Sequence, residues 1–149
     1  MTIEIKHQIG LGDIHEAALN IRKTVFVLEQ GVPLSDELDN QIAEESATHI
    51  VAYLNGSPVA TARVLEEHPG IWHIQRVATL KPMRGQGLGS QLLAYIEALA
   101  SDPDHHIHTL ELGAQITAKT FYEKLNFQTY GSEFLEAGIM HIKMKKELK

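Results

Sequence analysis

The sequence predicts an α/β fold of the α+β kind, with about seven strands in one mixed, largely antiparallel sheet flanked by helices, in the order β-α-β-β-β-α-β-α-β-β. Three observations carry this. Short runs rich in β-branched and apolar residues alternate with segments whose apolar residues recur at helical spacing. Two pairs of strand-like runs are separated only by tight-turn residues, which makes each pair an antiparallel hairpin. In the middle of the chain a helix lies between two strands, and a helical return makes those strands parallel.

Taken in order, Ile3 and Ile5 alternate as in a short strand, and Asp13 is expected to cap a helix on which Ile14, Ala17, Ala18, Ile21 and Val25 share a face. Residues 31–45 carry Asp36, Glu37, Asp39, Glu44 and Glu45 with little periodicity and read as a long acidic loop with room for a helical turn. THIVAYL at 48–54 and PVATARVL at 58–65 flank Asn55-Gly56-Ser57, a hairpin signal. The run 71–80 is a central strand ended by Lys81-Pro82, since proline cannot donate to a ladder. RGQGLG then leads into SQLLAYIEALA, where Leu92, Leu93, Ile96 and Leu99 form one face. After the polar break SDPDHH come a strand at 107–112, a helix at 115–125, and a closing hairpin of 127–135 and 139–146 around Glu136-Ala137-Gly138.

The 149 residues suit one domain, and 44% hydrophobic with 21% charged residues excludes disordered and collagen-like classes. Zero cysteines exclude a thiolate nucleophile, a disulfide and a Cys-ligated metal. A net charge of -6 argues against a nucleic-acid partner, whose phosphates need clustered Lys and Arg. The N-terminal MTIEIKHQIG does not read as a signal peptide, and no apolar stretch nears the roughly 18 residues of a membrane span, so a cytoplasmic protein with no membrane partner is expected.

The segment richest in chemistry is Gln75 to Ser90. Glycines at 85, 87 and 89 lie just before a helix whose first turn offers unpaired N–H groups and a positive dipole end, so Arg84, Gly85, Gln86, Gly87, Leu88, Gly89 and Ser90 read as a phosphate or pyrophosphate cradle. A P-loop is excluded because no lysine follows the glycines. A dinucleotide fingerprint puts Ser90 at its third glycine, although Glu111 could mimic its ribose-binding acid; this leaves a nicotinamide-dinucleotide domain as a poor match. A purely structural glycine loop is the bland alternative.

Arg84-x-x-Gly87-x-Gly89 after an apolar strand resembles the R/Q-x-x-G-x-G/A motif of the GNAT superfamily of acyl-CoA-dependent N-acyltransferases. Ala118-Lys119-Thr120-Phe121-Tyr122-Glu123-Lys124-Leu125-Asn126-Phe127 is similar to that family's A-x-x-F-Y-x-K-x-G-F helix, and the element order is also the family's, so the resemblance spans essentially the whole chain. Val25 to Gln30, Ala47-Thr48-His49 and the Gly138–Ile142 stretch resemble its ElaA- and YjcF-like branch.

The resemblance implies a sheet splayed at its central parallel pair, with the pantetheine arm of acetyl-CoA hydrogen-bonded to Val77, Ala78 and Thr79 like an extra strand. It implies that the Arg84–Ser90 amides hold the pyrophosphate. It also implies that Tyr122 assists departure of the thiolate. Gln115 stands where an Asn commonly contacts pantetheine, and Asn126 replaces a glycine but tolerates the left-handed conformation.

An alkylamine near pKa 10 must lose a proton before it attacks, so a base is needed. Strand alternation puts His73, Gln75 and Val77 on one face, and His73 is the candidate base, a plain sheet histidine being the alternative. Glu29, Glu111, His49 and His141 are better read as paired structural groups, and His105, His106 and His108 as solvated. The expected activity is direct transfer of an acetyl group from acetyl-CoA, in a ternary complex and with no metal, to a primary amine of a small molecule. A polyamine, aminosugar or lysine side chain would be drawn by the charge at 36–45. A non-catalytic acyl-CoA sensor is the alternative class, and the terminal hairpin's edge is compatible with a homodimer.

Overall fold

In the computed structural model, residues 2–38 and 41–148 are described. Their strands are β1 (Ile3–Ile9), β2 (Thr48–Leu54), β3 (Ser57–His68), β4 (Ile71–Thr79), β5 (Thr109–Gln115), β6 (Gln128–Glu136) and β7 (Ile139–Glu147). They form one sheet in the order β1-β2-β3-β4-β5-β7-β6, antiparallel except for the β4–β5 pair. The helices are α1 (Asp13–Arg22), α2 (Leu34–Glu37), α3 (Gln41–Ser46), α4 (Leu88–Ala100) and α5 (Lys119–Lys124). No helix is long and apolar enough to cross a membrane among the described residues.

Two apolar clusters hold helices to opposite sheet faces. Leu88, Leu92, Leu93, Ile96 and Ala100 of α4, with Tyr122 and Phe127, cover Ile50, Ala62, Trp72, Ile74, Leu112 and Met144. Ala18, Ile21 and Val25 cover Val51 and Ala78 on the other face. Each fully buried Leu or Ile side chain contributes about 1.5–3 kcal/mol. The α1 segment leaves β5, β7 and the first half of β4 on its face uncovered, and the cavity described below lies there.

Local chemistry explains where elements begin and end. Asn55 and Gly56 take left-handed φ of 50° and 87°, the conformation a two-residue hairpin turn demands, and Ala137 and Gly138 repeat it at 52° and 77°. Asn126 also adopts a left-handed φ, 71°, as its amide side chain allows.

Several expected boundaries are corrected. Gly12 occupies the N-cap position of α1, so Asp13 is its first residue and serves the helix dipole instead of capping. Val25 lies in a π-helical stretch, Lys23–Glu29, that continues α1. Thr24 Oγ1 donates to the Asn20 carbonyl at 3.1 Å there, a back-bond that competes with the regular ladder. The strand expected at 107–112 runs from Thr109 to Gln115, and α5 begins only at Lys119, after a 3₁₀ turn at Ile116–Ala118.

The acidic loop expected at 31–45 is largely helical, and two of its carboxylates are buried; Asp39 lies outside the described residues. Arg22 Nε donates to Glu37 Oε1 at 2.5 Å, Arg22 Nη1 donates to Glu44 Oε2 at 2.9 Å, and Arg63 Nη1 donates to Glu44 Oε1. His15 Nε2 lies 2.6 Å from Glu44 Oε2, and His49 Nε2 is 2.8 Å from the Glu44 carbonyl. Glu37 and Glu44 therefore neutralise internal guanidinium groups and cannot attract a cationic ligand.

Burial alone would raise the Glu44 carboxyl, but hydrogen bonds and charge from Arg22 and Arg63 hold it at about 2. Glu44→Ala, which leaves two buried guanidinium groups short of a counter-charge, should lose about 3–5 kcal/mol in urea unfolding. A carboxyl depressed on folding stabilises the protein above its unfolded value near 4.5, and that stabilisation fades as pH falls through about 2. The stability gap between the wild type and Glu44→Gln should accordingly narrow between about pH 5 and pH 2.

Candidate active site

The site starts from one extra residue. Thr61 pairs with Ala78 and Arg63 with Gln75, so β4 spends three steps where β3 takes two. The surplus is accommodated at Arg76, a non-glycine residue with φ 55°, a conformation that costs an L-residue roughly 1–2 kcal/mol. Pairing of β4 with β5 covers only Ile71–Ile74 against Thr109–Leu112 and stops just before this bulge. Beyond it the strands splay, and the β4 backbone from Gln75 onward has no β5 partner.

The bulge also reverses the side-chain parity. Trp72 and Ile74 face α4, and His73 and Gln75 face the opposite side, as alternation predicts. Val77, however, packs with the α4 cluster while Ala78 joins the α1 cluster. The expectation that Val77 shares a face with His73 and Gln75 is thus overturned, because the inserted residue shifts the period by one.

A cavity of about 590 Å³ fills the uncovered face and the splay. His73, Gln75, Val77, Gln115 and Tyr122, all singled out from sequence, line it together. So do Arg63, Glu67, Arg76, Glu111, His141 and Lys143. Phe26 and Gln30 enter the wall from the π-helical stretch and its end, and Gln115 Nε2 donates to Gln30 Oε1 at 3.0 Å, fixing the tip of β5.

Tyr122 is 7% exposed, packed edge-on between Phe121 and Phe127, and burial pushes its hydroxyl up to about 12. It is a firmly protonated phenol on the cavity wall. Glu111 hydrogen-bonds Tyr130, and His141 Nδ1 sits 2.7 Å from the Ile139 carbonyl with its ring stacked on Phe134. Burial lowers the pKa of His49, which does not line the cavity and belongs to the charge network behind it, opposite Arg63 in the β2–β3 register. His15, Glu44 and His49 are the one group among the described residues that could hold a metal ion, but guanidinium donors already occupy both Glu44 oxygens.

The glycine loop lies at the end of β4. Gly87 is the N-cap of α4 at φ 81°, no side chain caps the helix, and a Cβ at Gly85 or Gly87 would meet open space. The first-turn amides of Leu88, Gly89 and Ser90 therefore lack helical acceptors and stand beside an accessible surface. Leu88 contributes its amide only, since its side chain is buried in the core. Gly89 serves packing instead: a Cβ there would lie 3.0 Å from Phe121 Cζ, so the glycine lets α5 approach α4.

The Arg84 fork donates to Glu29 at 2.5 and 2.8 Å, and its Nε donates to the Thr79 carbonyl at 3.0 Å. The hydrogen bond from Arg84 holds the Glu29 carboxyl below its ordinary range. Thr79, Arg84 and the π-helical end are thereby tied together at the loop.

Sequence reasoning missed Arg63, Glu67 and Arg76. Alternation along 58–65 could have placed Arg63 opposite Gln75, but no turn-type residue marks the Arg76 bulge. Gly87→Ala adds left-handed strain in open space and should cost about 1–2 kcal/mol in thermal unfolding, with α4 intact by circular dichroism. Gly89→Leu should lower stability more, by displacing Phe121.

Residues 13–148 match the family model described as acetyltransferase (GNAT) domain. The uncharacterized N-acetyltransferase YjcF of Bacillus subtilis (strain 168) is 34% identical over 131 residues, covering 87% of this chain and 90% of that protein. Protein ElaA of Escherichia coli (strain K12) is 32% identical over 136 residues, covering 89% and 86%. The crystal structure of Escherichia coli ElaA superposes with a TM-score of 0.81 at 28% identity, covering 98% of this chain and 100% of that one. An acyl-CoA N-acyltransferase from Pseudomonas aeruginosa superposes with a TM-score of 0.82 at 28% identity, covering 97% and 99%. With the splayed parallel pair and Tyr122 on one cavity, and the glycine loop at the end of β4, these matches identify the chain as a member of the GNAT acetyltransferase family, an acyltransferase.

Proposed function

We propose that the protein moves an acetyl group from acetyl-CoA directly to a primary amine of a small molecule. The observation that carries this reading is the stretch of β4 from Gln75 onward that has no β5 partner, which passes the cavity that Tyr122 lines and leads to the uncapped first turn of α4. Backbone groups of Val77, Ala78 and Thr79 would bond the pantetheine arm, and Gln115 faces the same gap. The amides of Gly85 to Ser90 suit a pyrophosphate, favoured by the α4 dipole, whereas the Arg84 amide, included in the sequence expectation, is spent on the Lys81 carbonyl at 3.3 Å. Arg84 can offer its charge to a phosphate only by loosening its pair with Glu29.

Acetyl-CoA supplies a thioester whose sulfur leaves as a thiolate. A thiol near pKa 8.5 is more acidic than a buried phenol at about 12, so Tyr122 donates a hydrogen bond to the developing negative sulfur, and full proton transfer to it is uphill. Its task is to stabilise charge as it forms. His73 is the proposed base, because its imidazole lines the acceptor half of the cavity and can accept a proton from an amine there.

A cationic amine would be drawn by Glu67, Glu111 and Glu136, which line the cavity, and not by the buried pair Glu37 and Glu44. Thiol release measured over a panel of polyamines, aminosugars and amino acids tests the acceptor class.

Acetyl-CoA and CoA should each raise the melting temperature, NAD and ATP should not, and ligand at 100 times its Kd corresponds to about 2.7 kcal/mol. Gly87→Glu should abolish the rise; an unchanged rise, or one seen with NAD alone, refutes the cradle. Tyr122→Phe, which keeps the ring packing, should lower kcat about 10²-fold with little change in the KM for acetyl-CoA.

A further inference from the structure

We infer that Glu67 is a positioning residue for the acceptor side of the reaction. It holds the His73 ring so that Nδ1 carries the proton and Nε2 stays a bare acceptor facing the amine. The inference rests on the functional reading above, in which His73 takes up the proton.

The geometry is built by β3 and β4. Direct pairing of Arg63 with Gln75 and of Leu65 with His73 puts these side chains on the cavity face, and Glu67, within a register shift of β3 between Leu65 and His68, lines the same cavity. Glu67 Oε1 lies 2.5 Å from His73 Nδ1. On the other flank Gln75 Nε2 lies 3.3 Å from the same nitrogen.

The orientation of the Gln75 amide is set by Arg63. A guanidinium only donates, and Arg63 directs Nε, at 3.1 Å, and Nη2 to Gln75 Oε1, while its Nη1 is anchored on buried Glu44. The amide nitrogen must therefore point at His73. An Nδ1 facing the Gln75 amide alone would be an acceptor. The carboxylate also only accepts and makes the much shorter contact, so the proton belongs on Nδ1, donated to Glu67.

Other groups around the ring do not compete for Nδ1. Glu111, the β5 residue in register with His73, is bonded to Tyr130 of β6. Arg22 of α1 and Glu37 of α2 pair with each other, and Arg76 Nε lies 3.5 Å from Glu37 Oε2. His68 of β3, Glu136 of β6, and His141 and Lys143 of β7 complete the charged or titratable wall, and the π-helical stretch presents Phe26.

In the transfer, the nitrogen–carbon bond forms as the carbon–sulfur bond breaks, and the thiolate leaves with the electron pair. The amine proton passes to His73 Nε2, directly or through one water. The imidazolium that results carries its positive charge against the Glu67 carboxylate, and the proton is later released to solvent or to the thiolate.

Nitrogen chemical shifts of the His73 ring in the ¹⁵N-labelled protein at pH 8 test this without an acceptor. The expected result is a predominant Nδ1–H tautomer in the wild type and loss of that predominance in Glu67→Gln, with Glu67→Asp intermediate. A predominant Nε2–H tautomer in the wild type, or identical tautomers in wild type and Glu67→Gln, overturns the inference. CoA-induced thermal shifts run on the same samples report the underlying reading separately, so loss of CoA binding in the wild type would sink that reading while leaving the tautomer result to stand on its own. With an amine from the panel that supports turnover, Glu67→Gln should reduce kcat about 10- to 10²-fold and leave the KM for acetyl-CoA near its wild-type value.

Discussion

One surplus residue in β4 shapes the functional half of the molecule. Sheet strands that stay in register pair along their whole length, and a fully paired β4–β5 ladder would leave no backbone group for a ligand. Arg76 breaks the register, β4 turns away from β5 after Ile74, and the ladder's lost bonds become free donors and acceptors. The same insertion swaps the faces that Val77 and Ala78 present, sending Val77 toward α4 and Ala78 toward α1. Splay, cavity and placement of the glycine loop all follow from that local fault.

A left-handed arginine in mid-strand needs outside support, and the buried charge network supplies it. Glu37 stands 3.5 Å from Arg76 Nε and is itself gripped by Arg22, while Glu44 joins Arg22 to Arg63 and so to Gln75 on the other side of the bulge. Such a cluster is a poor source of net stability compared with a well-packed apolar core, since desolvating four charges offsets much of their attraction. Its directional bonds instead fix the relation of α1, α2 and α3 to two strands. The functional wall therefore rests on polar geometry, where the opposite wall, against α4, rests on aliphatic packing.

Much of this fold was legible from the sequence because periodicity and turn chemistry are local. The apolar stripe of α4, the Asn55-Gly56 and Ala137-Gly138 turns and the order of strands all follow from residues that carry their own signal. Tyr122 and the loop glycines were legible as motif residues, although Gly89 turned out to make room for Phe121. The bulge was not legible, because arginine is not a residue that marks a left-handed position, and one unmarked insertion defeats every parity argument downstream. The acidic stretch misled for a related reason: charge in a sequence shows how many carboxylates there are, but not that Arg22 and Arg63, remote in the chain, would bury two of them.

The two halves of the cavity differ in how they can respond to a ligand. On the side of Tyr122, rings pack edge-on and the hydroxyl is the one polar group that Tyr122 brings to the wall, so that side is pre-organised and offers a fixed donor. On the side of His73, Glu67 and Gln75 the groups are part-exposed and linked by hydrogen bonds that water can replace. Closure of an acceptor over His73 would remove that water and strengthen its contact with Glu67, so the acceptor's own shape helps assemble the proton path. Discrimination among amines then falls to the residues that surround this pair, Arg63, Glu111, His141 and Lys143, while the β4 edge and α4 amides bind the common donor through backbone groups that hardly depend on side-chain identity.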